Sequence, residues 1–437
     1  MRSRSSLRDH FEATVSSLAP GGDGVAHIEL GGERRAVFIP HSAPGDRVQV
    51  EVDASRRPAR GRILSVATAG PDRVAPSCAW SERCGGCDWM HLSLEAQART
   101  HAEHVRAALP APWRDHPLET HRAADAVAYR SRARVHVRAS SRGRATVGMH
   151  EARSHDPVAV DVCAVLLPAL EAARAALPAI FEGSVGRGDA QLALGERGRP
   201  VIDVRWEGEL PPPVFARLER AVEDGTLGGA QVRVGEVARP ARIGDPTPWM
   251  TGADGAPLRL APGGFGQAHE AMNAALARHV AAVVRGWQVD RAVELYAGAG
   301  NLTVLLAREA RELASVEASR DGVDAARANL AARGLTHVRL VEADAGTYTW
   351  PKNTRLVVLD PPRTGARAVA ERLSASRVPH VVYVSCDPQT LGRDLSLLAE
   401  AYAPASAVPV ATFEMFPQTS HVETVVALTH RGEEARP

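Results

Sequence analysis

Between residues 291 and 386 apolar runs alternate with amphipathic ones, and this alternation restricts the fold more than any other feature of the chain. "AVELYAGAGN", "LASVEAS", "VRLVEADA", "RLVVLDPPR" and "HVVYVSCDP" read as strands. Segments between them, such as "RDGVDAARANLAARG", read as helices, and a helical run "EAMNAALARHVAAVVRGW" (270–287) leads in. Strands separated by helices imply a parallel, doubly wound α/β sheet, and ligands bind such sheets beyond the carboxyl ends of the strands. What each run ends in therefore matters. The first enters Gly298-Ala299-Gly300, the second ends in Glu317 (17 residues after Gly300), the third in Asp344, the fourth in Asp360 and the fifth in Cys386. The glycines let backbone approach a ligand, but the third glycine of a dinucleotide fingerprint is missing. Glu317 can accept hydrogen bonds from both ribose hydroxyls. An edge lined by acids suits a nucleoside without a pyrophosphate, which points to S-adenosyl-L-methionine rather than NAD.

At 437 residues the chain is too long for one ordinary core. Five short strand-like stretches between residues 11 and 67, separated by Pro20-Gly21-Gly22, Gly31-Gly32 and Pro44-Gly45, predict a small β-barrel. On it "SRRPARGR" (55–62) is expected to form a basic loop. A helix is predicted over 92–109, and Pro211-Pro212-Pro213 is expected in a loop. A second β-rich stretch contains "AYRSRARVHVRAS", where Arg130, Arg132, Arg134, His136 and Arg138 alternate with smaller residues; Arg142 and Arg144 follow. A period of two puts these groups on one strand face, either solvated or gripping phosphates. Net charge is only +1, so the total neither suggests nor excludes nucleic acid. No run of about 18 apolar residues occurs, so no membrane span is expected. The basic N-terminus lacks a secretory apolar stretch, and a cytoplasmic protein is expected.

Four of the five cysteines, Cys78, Cys84, Cys87 and Cys163, fall in one region, and Cys386 stands apart. In a reducing compartment, metal or catalytic roles are favoured over disulfides. Cys78-x5-Cys84-x2-Cys87 and a distant Cys163 supply four soft donors for zinc or an iron–sulfur cluster, and spacing alone does not choose. An isolated cysteine at a strand's end is usually a buried spacer. Cys386 instead shares the expected ligand edge with Glu317, Asp344 and Asp360.

Taken together, "CAWSERCGGCDW" with "VDVCAVLLP", and "ELYAGAGNLTVLLA", "LDPPRTGA", "YVSCDPQTLGRDL" and "EMFPQTSHVETV", in this order, resemble the S-adenosylmethionine-dependent RNA uracil-5-methyltransferases. The branch it is similar to carries a TRAM domain and an iron–sulfur cluster. The resemblance covers residues 7 to about 430. It implies a TRAM-like barrel over 7–67, a β-rich RNA-binding region with the four-cysteine loop over 68–265, and a Rossmann-like class I methyltransferase domain over 266–437. The helix at 92–109 would pack on that last domain. By position it implies Cys386 as nucleophile and Glu423 as general base. Gln267, Tyr296, Gly298, Gly300, Asn301, Glu317, Asp344 and Asp360 would hold S-adenosyl-L-methionine. Cys78, Cys84, Cys87 and Cys163 would bind a [4Fe-4S] cluster, with zinc as the alternative. Arg57, Arg60, Arg130, Arg132 and Arg134 would contact structured RNA, expected to be 23S rRNA, with the protein acting as a monomer. This sequence departs from the family pattern at Ala297, at Asp387 where asparagine is common, and at His269 where asparagine closes a Phe-x-Gln-x-Asn pattern.

Uracil C5 is a poor nucleophile, and a thiolate added at C6 turns the ring into an enolate whose C5 can attack a methyl sulfonium. A base must then remove the C5 proton before the thiol leaves. The target base has to leave its stack to reach the thiol. Three other readings stay open: a transfer-RNA substrate, exocyclic-amine methylation using "DPPR", and a non-catalytic RNA-binding assembly factor. Reduced folate as carbon donor is disfavoured by the nucleoside-type acids.

Overall fold

The alternating strand signals near the N-terminus resolve into β1 (Arg8–Leu18), β2 (Gly24–Leu30), β3 (Glu33–Ile39), β4 (Arg47–Asp53) and β5 (Ala59–Thr68). In the computed structural model, which describes residues 8–30, 32–140, 145–236 and 239–434, these close into a barrel in the order β1-β2-β3-β5-β4. Arg142 and Arg144 lie outside the described residues. Every second residue points inward, so Ala26, Ile28, Val37, Ile39, Val48, Val50 and Val52 form the barrel core. The basic loop is shorter than expected, because β5 starts at Ala59 and puts Arg60 and Arg62 on a strand. There Arg60 pairs with Asp23 at 2.5 Å and Arg62 with Glu51 at 3.3 Å, while Arg57 remains exposed in the turn.

The chain divides into two bodies. One contains the barrel, the chain to residue 101, and residues 150–155 and 416–420; the other contains the remainder. Helix α1 (Leu94–Ala108) follows the cysteine loop, and α2 (Ala111–Arg114) and β6 (Leu118–His121) come next. In the second body β7 (Arg132–Ala139), β8 (Thr146–Gly148), β9 (Val185–Leu194), β10 (Pro200–Glu209), β11 (Gly229–Val234) and β12 (Ala241–Gly244) form a sheet ordered β12-β11-β10-β9-β7-β8. Helices α3 (Pro168–Ile180) and α4 (Pro212–Glu223) pack on one face over Val135, Leu192, Val204 and Trp206. The proline run opens α4 rather than forming a loop; Pro212 sits in the first turn, where its missing N–H costs nothing.

The hairpin β13 (Trp249–Thr251) and β14 (Pro257–Arg259) leads to α5 (Glu270–Trp287). Strand and helix then alternate: β15 (Arg291–Leu295), α6 (Thr303–Glu309), β16 (Glu312–Glu317), α7 (Arg320–Ala331), β17 (Val338–Glu342), β18 (Leu356–Leu359), α8 (Arg367–Ser374), β19 (His380–Ser385) and α9 (Pro388–Leu398). Strands β20 (Tyr402–Pro404), β21 (Val410–Phe413) and β22 (Glu423–His430) complete the sheet in the order β17-β16-β15-β18-β19-β22-β21-β6, with β20 on β22. Pairing is parallel from β17 to β19, and β22 enters antiparallel beside β19. Val293, Leu295, Val357, Leu359, Val381 and Tyr383 are buried with Val105, Leu109 and Trp113 in the core of this body. The strand order reverses between β15 and β18, which opens the ligand crevice at their carboxyl ends.

Candidate active site

Strand β15 leaves the sheet through Tyr296, which adopts a left-handed backbone with φ 63°. A tyrosine rarely takes this conformation, and such strain collects at functional sites. Gly298 (φ 55°) and Gly300 (φ 88°) continue the turn in the same region, which explains the glycines directly. Glu317, at the end of the adjacent β16, ties the turn down. One of its oxygens accepts from the Gly298 N–H at 2.9 Å, the other from the Ser319 N–H at 2.7 Å. Asn301 exchanges two hydrogen bonds, at 2.8 and 3.0 Å, with the wholly buried Asn273 of α5. Sequence reasoning missed Asn273, since a lone asparagine inside a helical run carries no signal. Tyr296 lies near enough to Asp344 to feel its charge; burial first, then Asp344, pushes its phenol upward. Asp344 itself is exposed. Gln267 is buried, and its Oε1 has no hydrogen-bond partner among the described residues. A buried acceptor left open is costly unless a ligand fills it. His269, which replaces the family's asparagine, stacks on Tyr129 with centroids 4.8 Å apart.

Under this rim Glu294 is buried and accepts from Thr303 Oγ1 at 2.6 Å and Ser315 Oγ at 2.8 Å. Burial pushes its carboxyl up to about 7 despite those bonds, and Asp360 adds to the rise.

Register brings the chemistry together. Ser385 pairs with Thr424 across the antiparallel β19–β22 ladder, so Cys386 and Glu423 come next on opposite strands. Read alone, Glu423 looks like a solvent-facing strand acid; it is in fact 3% exposed, because β21 and β19 flank β22, and its Oε2 has no partner among the described residues. Asp360 closes the neighbouring β18. Burial raises both carboxyls, and for Glu423 the charge of Asp360 raises it further. The Cys386 thiol is pushed up to about 12 by burial and then by Glu423 and Asp360, and Arg363 opposes this. Arg363 also opposes the rise of Glu423, and its Nη2 lies 3.3 Å from His421 Nε2. "DPPR" is conspicuous in the sequence, but nothing in its spacing reveals that the charge of this arginine acts on the thiol.

Asp387 also finds its place here. It N-caps α9, its Oδ1 accepting from the Thr390 N–H at 2.8 Å. Asparagine and aspartate cap about equally well, so either residue can fill the position. The carboxylates acting on the thiol are Glu423 and Asp360.

The arginine stripe needs correction. Arg132 does not present its guanidinium for phosphates; it is 5% exposed, and its Nη2 donates to Gly264 O at 2.7 Å. Gln191 donates to the same carbonyl at 3.1 Å, so the 264–266 segment covers this end of the sheet. Burial lowers Arg132 to about 10. Arg134 and Arg138 are exposed, and Arg130 is half-buried.

Cys78, Cys84 and Cys87 lie in the first body and Cys163 in the second. Among the described residues no group of three or more His, Cys, Asp or Glu stands close enough to hold a metal ion. Burial pushes the Cys163 thiol upward. No helix is long and apolar enough to cross a membrane among the described residues.

Comparison with known proteins agrees with this geometry. A family model described as tRNA (Uracil-5-)-methyltransferase matches residues 257–354 and 351–431, and a TRAM domain model matches residues 4–64. The chain is 34% identical to the 23S rRNA (uracil(1939)-C(5))-methyltransferase RlmD of Halomonas elongata, over 96% of this chain and 89% of that protein. It is 32% identical to the enzyme of the same name from Pseudomonas putida, over 94% and 92%. Its fold matches the Pyrococcus abyssi tRNA (uracil-54, C5)-methyltransferase, solved with S-adenosyl-L-homocysteine, with a TM-score of 0.73 at 21% identity, covering 96% of this chain and all of that one. The chain belongs to the tRNA (uracil-5-)-methyltransferase family of RNA uracil-C5 methyltransferases.

Proposed function

We propose that the protein methylates C5 of a uridine in structured RNA, with 23S rRNA as the substrate, through a covalent bond between Cys386 and uracil C6. The observation that carries this reading is the β19–β22 register, which sets a thiol opposite a buried carboxylate at the ligand edge, its Oε2 without a partner among the described residues. Cys386 Sγ adds to C6, and the electron pair moves towards O4 as C5 becomes nucleophilic. S-adenosyl-L-methionine, when bound, supplies the electrophilic methyl group that C5 accepts. Glu423 takes the C5 proton, the sulfur–C6 bond breaks, and the thiolate returns to Cys386. Gln267, Tyr296, Gly298, Gly300, Asn301, Glu317, Asp344 and Asp360 hold the cofactor, a role supported by the open Gln267 acceptor and the Glu317-anchored glycine turn. Mapping 5-methyluridine in total RNA with and without the protein tests the substrate. Loss of one position in 23S rRNA is expected; loss confined to transfer RNA would move the assignment there, and no loss anywhere would overturn it.

Arg57, Arg60, Arg130 and Arg134 remain the candidate RNA contacts. Exposed Arg134, on a sheet face away from α3 and α4, is the best presented. One phosphate contact contributes about 0.7–0.9 to the slope of log affinity against log salt. Arg134→Ala should make the RNA-binding slope shallower by about that amount, and an unchanged slope would remove the residue from the interface.

We also propose that Cys78, Cys84, Cys87 and Cys163 hold a [4Fe-4S] cluster of structural or RNA-positioning role, with zinc as the alternative. Three closely spaced soft donors and a fourth further along the chain support it. Among the described residues no group of three or more candidate metal ligands stands together, so no chemical step is derived through the cluster. Anaerobically purified protein should be brown and carry about four irons per chain; stoichiometric zinc without iron would reject the cluster.

A further inference from the structure

Asp394, one turn from the end of α9, is wholly buried, yet the mechanism above gives it no role. Its Oδ2 accepts from the Ala366 N–H at 2.7 Å and from Tyr383 Oη at 2.7 Å. Its Oδ1 accepts from Arg393 Nε at 2.8 Å, and Arg393 Nη2 in turn donates to Thr364 O at 2.9 Å. Thr390 Oγ1 donates to Arg363 O at 3.2 Å. Gly365 holds the centre of this turn at φ +74°, and a Cβ there would stand 2.6 Å from Asp394 Oδ2 and 2.5 Å from Arg393 Nη2. The backbone from Arg363 to Ala366 is thus clamped at three successive points by α9, the helix that begins directly after Cys386 and Asp387.

A buried carboxylate is a poor way to stabilise a fold, since its desolvation offsets much of what its partners return, and in some proteins such groups instead fix a local geometry. The backbone held here is the one that carries Arg363. The charged groups acting on Cys386 are Glu423 from β22, Asp360 from the end of β18, and Arg363 from this turn. Both carboxylates disfavour the thiolate, and Arg363 opposes them.

We propose that Asp394 is a positioning residue for Cys386: through Ala366, Tyr383 and Arg393 it fixes the Arg363–Ala366 turn, so that the Arg363 guanidinium stays beside the thiol. This rests on the assignment of Cys386 as nucleophile, but its test does not require turnover. Iodoacetate and iodoacetamide consume the same thiolate and differ in charge. The ratio of their rates at Cys386, read by peptide mass spectrometry on the full chain at low salt, therefore reports a nearby cation. Altered accessibility or thiol ionisation affects both reagents alike and largely cancels.

Arg363→Gln should lower the iodoacetate to iodoacetamide ratio by about threefold or more, as loss of one unscreened neighbouring charge would. Asp394→Asn and Tyr383→Phe should lower it in the same direction. Combining either with Arg363→Gln should give no further fall, because the two changes act through one group. Should Asp394→Asn fail to fold, Tyr383→Phe carries the test, since it removes a single hydroxyl. A lowered melting temperature with an unchanged ratio, or effects that simply add, would overturn the proposal. A normal result here with no methyl transfer to RNA would leave Asp394's role intact and refute the functional reading instead.

Discussion

Cys386→Ala is expected to lower methyl transfer by about 10⁴-fold or more, the scale on which removal of a covalent nucleophile is felt. Binding of S-adenosyl-L-methionine should change by no more than about twofold, since Cys386 lies at the end of β19 while the glycine turn and Glu317 belong to β15 and β16. Isothermal titration and a methyl-incorporation assay read the two effects separately. The separation matters because exocyclic-amine methylation needs no thiol; full activity in the alanine variant would favour that chemistry. Failure of the unaltered protein to bind S-adenosyl-L-methionine at all would point to an assembly factor that keeps only the fold.

Glu423→Gln should have the second large effect, of a different kind. The glutamine is nearly isosteric, so C6 addition and methylation proceed, but the C5 proton has no base to accept it. Turnover should fall about 10²–10⁴-fold, the usual contribution of a positioned base, and RNA should accumulate in a complex that survives denaturing electrophoresis. Release of methylated RNA at the normal rate would show that another group removes the proton. The sign of the pH dependence follows from the electrostatics. Burial and Asp360 hold Glu423 above the ordinary carboxylate range, so a growing share of the base becomes ionised as pH rises. Single-turnover resolution of the adduct should therefore accelerate with pH in the unaltered protein and lose that rising limb in Glu423→Gln.

The catalytic sheet was legible because its signals are local. Each parallel strand is an apolar run ending in a polar residue, and α5 occupies the 270–287 run that helical periodicity marked out. Barrel strands were legible for the same reason, through alternation and turn residues. Features created by long-range contact were not. Arg132 belongs to a strictly alternating stripe, yet the 264–266 segment, over a hundred residues downstream, covers it and turns a candidate phosphate contact into a buried hydrogen-bond donor. Glu423 looks like a surface strand acid until β22 is placed between β19 and β21. Asp387 stands out in the sequence only as a departure from asparagine; cap geometry, visible once α9 is located, accounts for it. Asp394 sits in the same quoted stretch as Cys386, and nothing in the sequence tells it apart from a solvent-facing helix acid.

In the proposed reaction Cys386 forms the bond to uracil and Glu423 allows that bond to be released. This is tested most directly by digesting the denaturation-resistant complex of the Glu423→Gln protein with its RNA and sequencing the linked peptide by mass spectrometry. One cross-linked residue is expected, Cys386, carrying a methylated uridine, with no complex in the Cys386→Ala/Glu423→Gln double variant. A nucleotide attached to any other residue, or a complex that persists without Cys386, would contradict it.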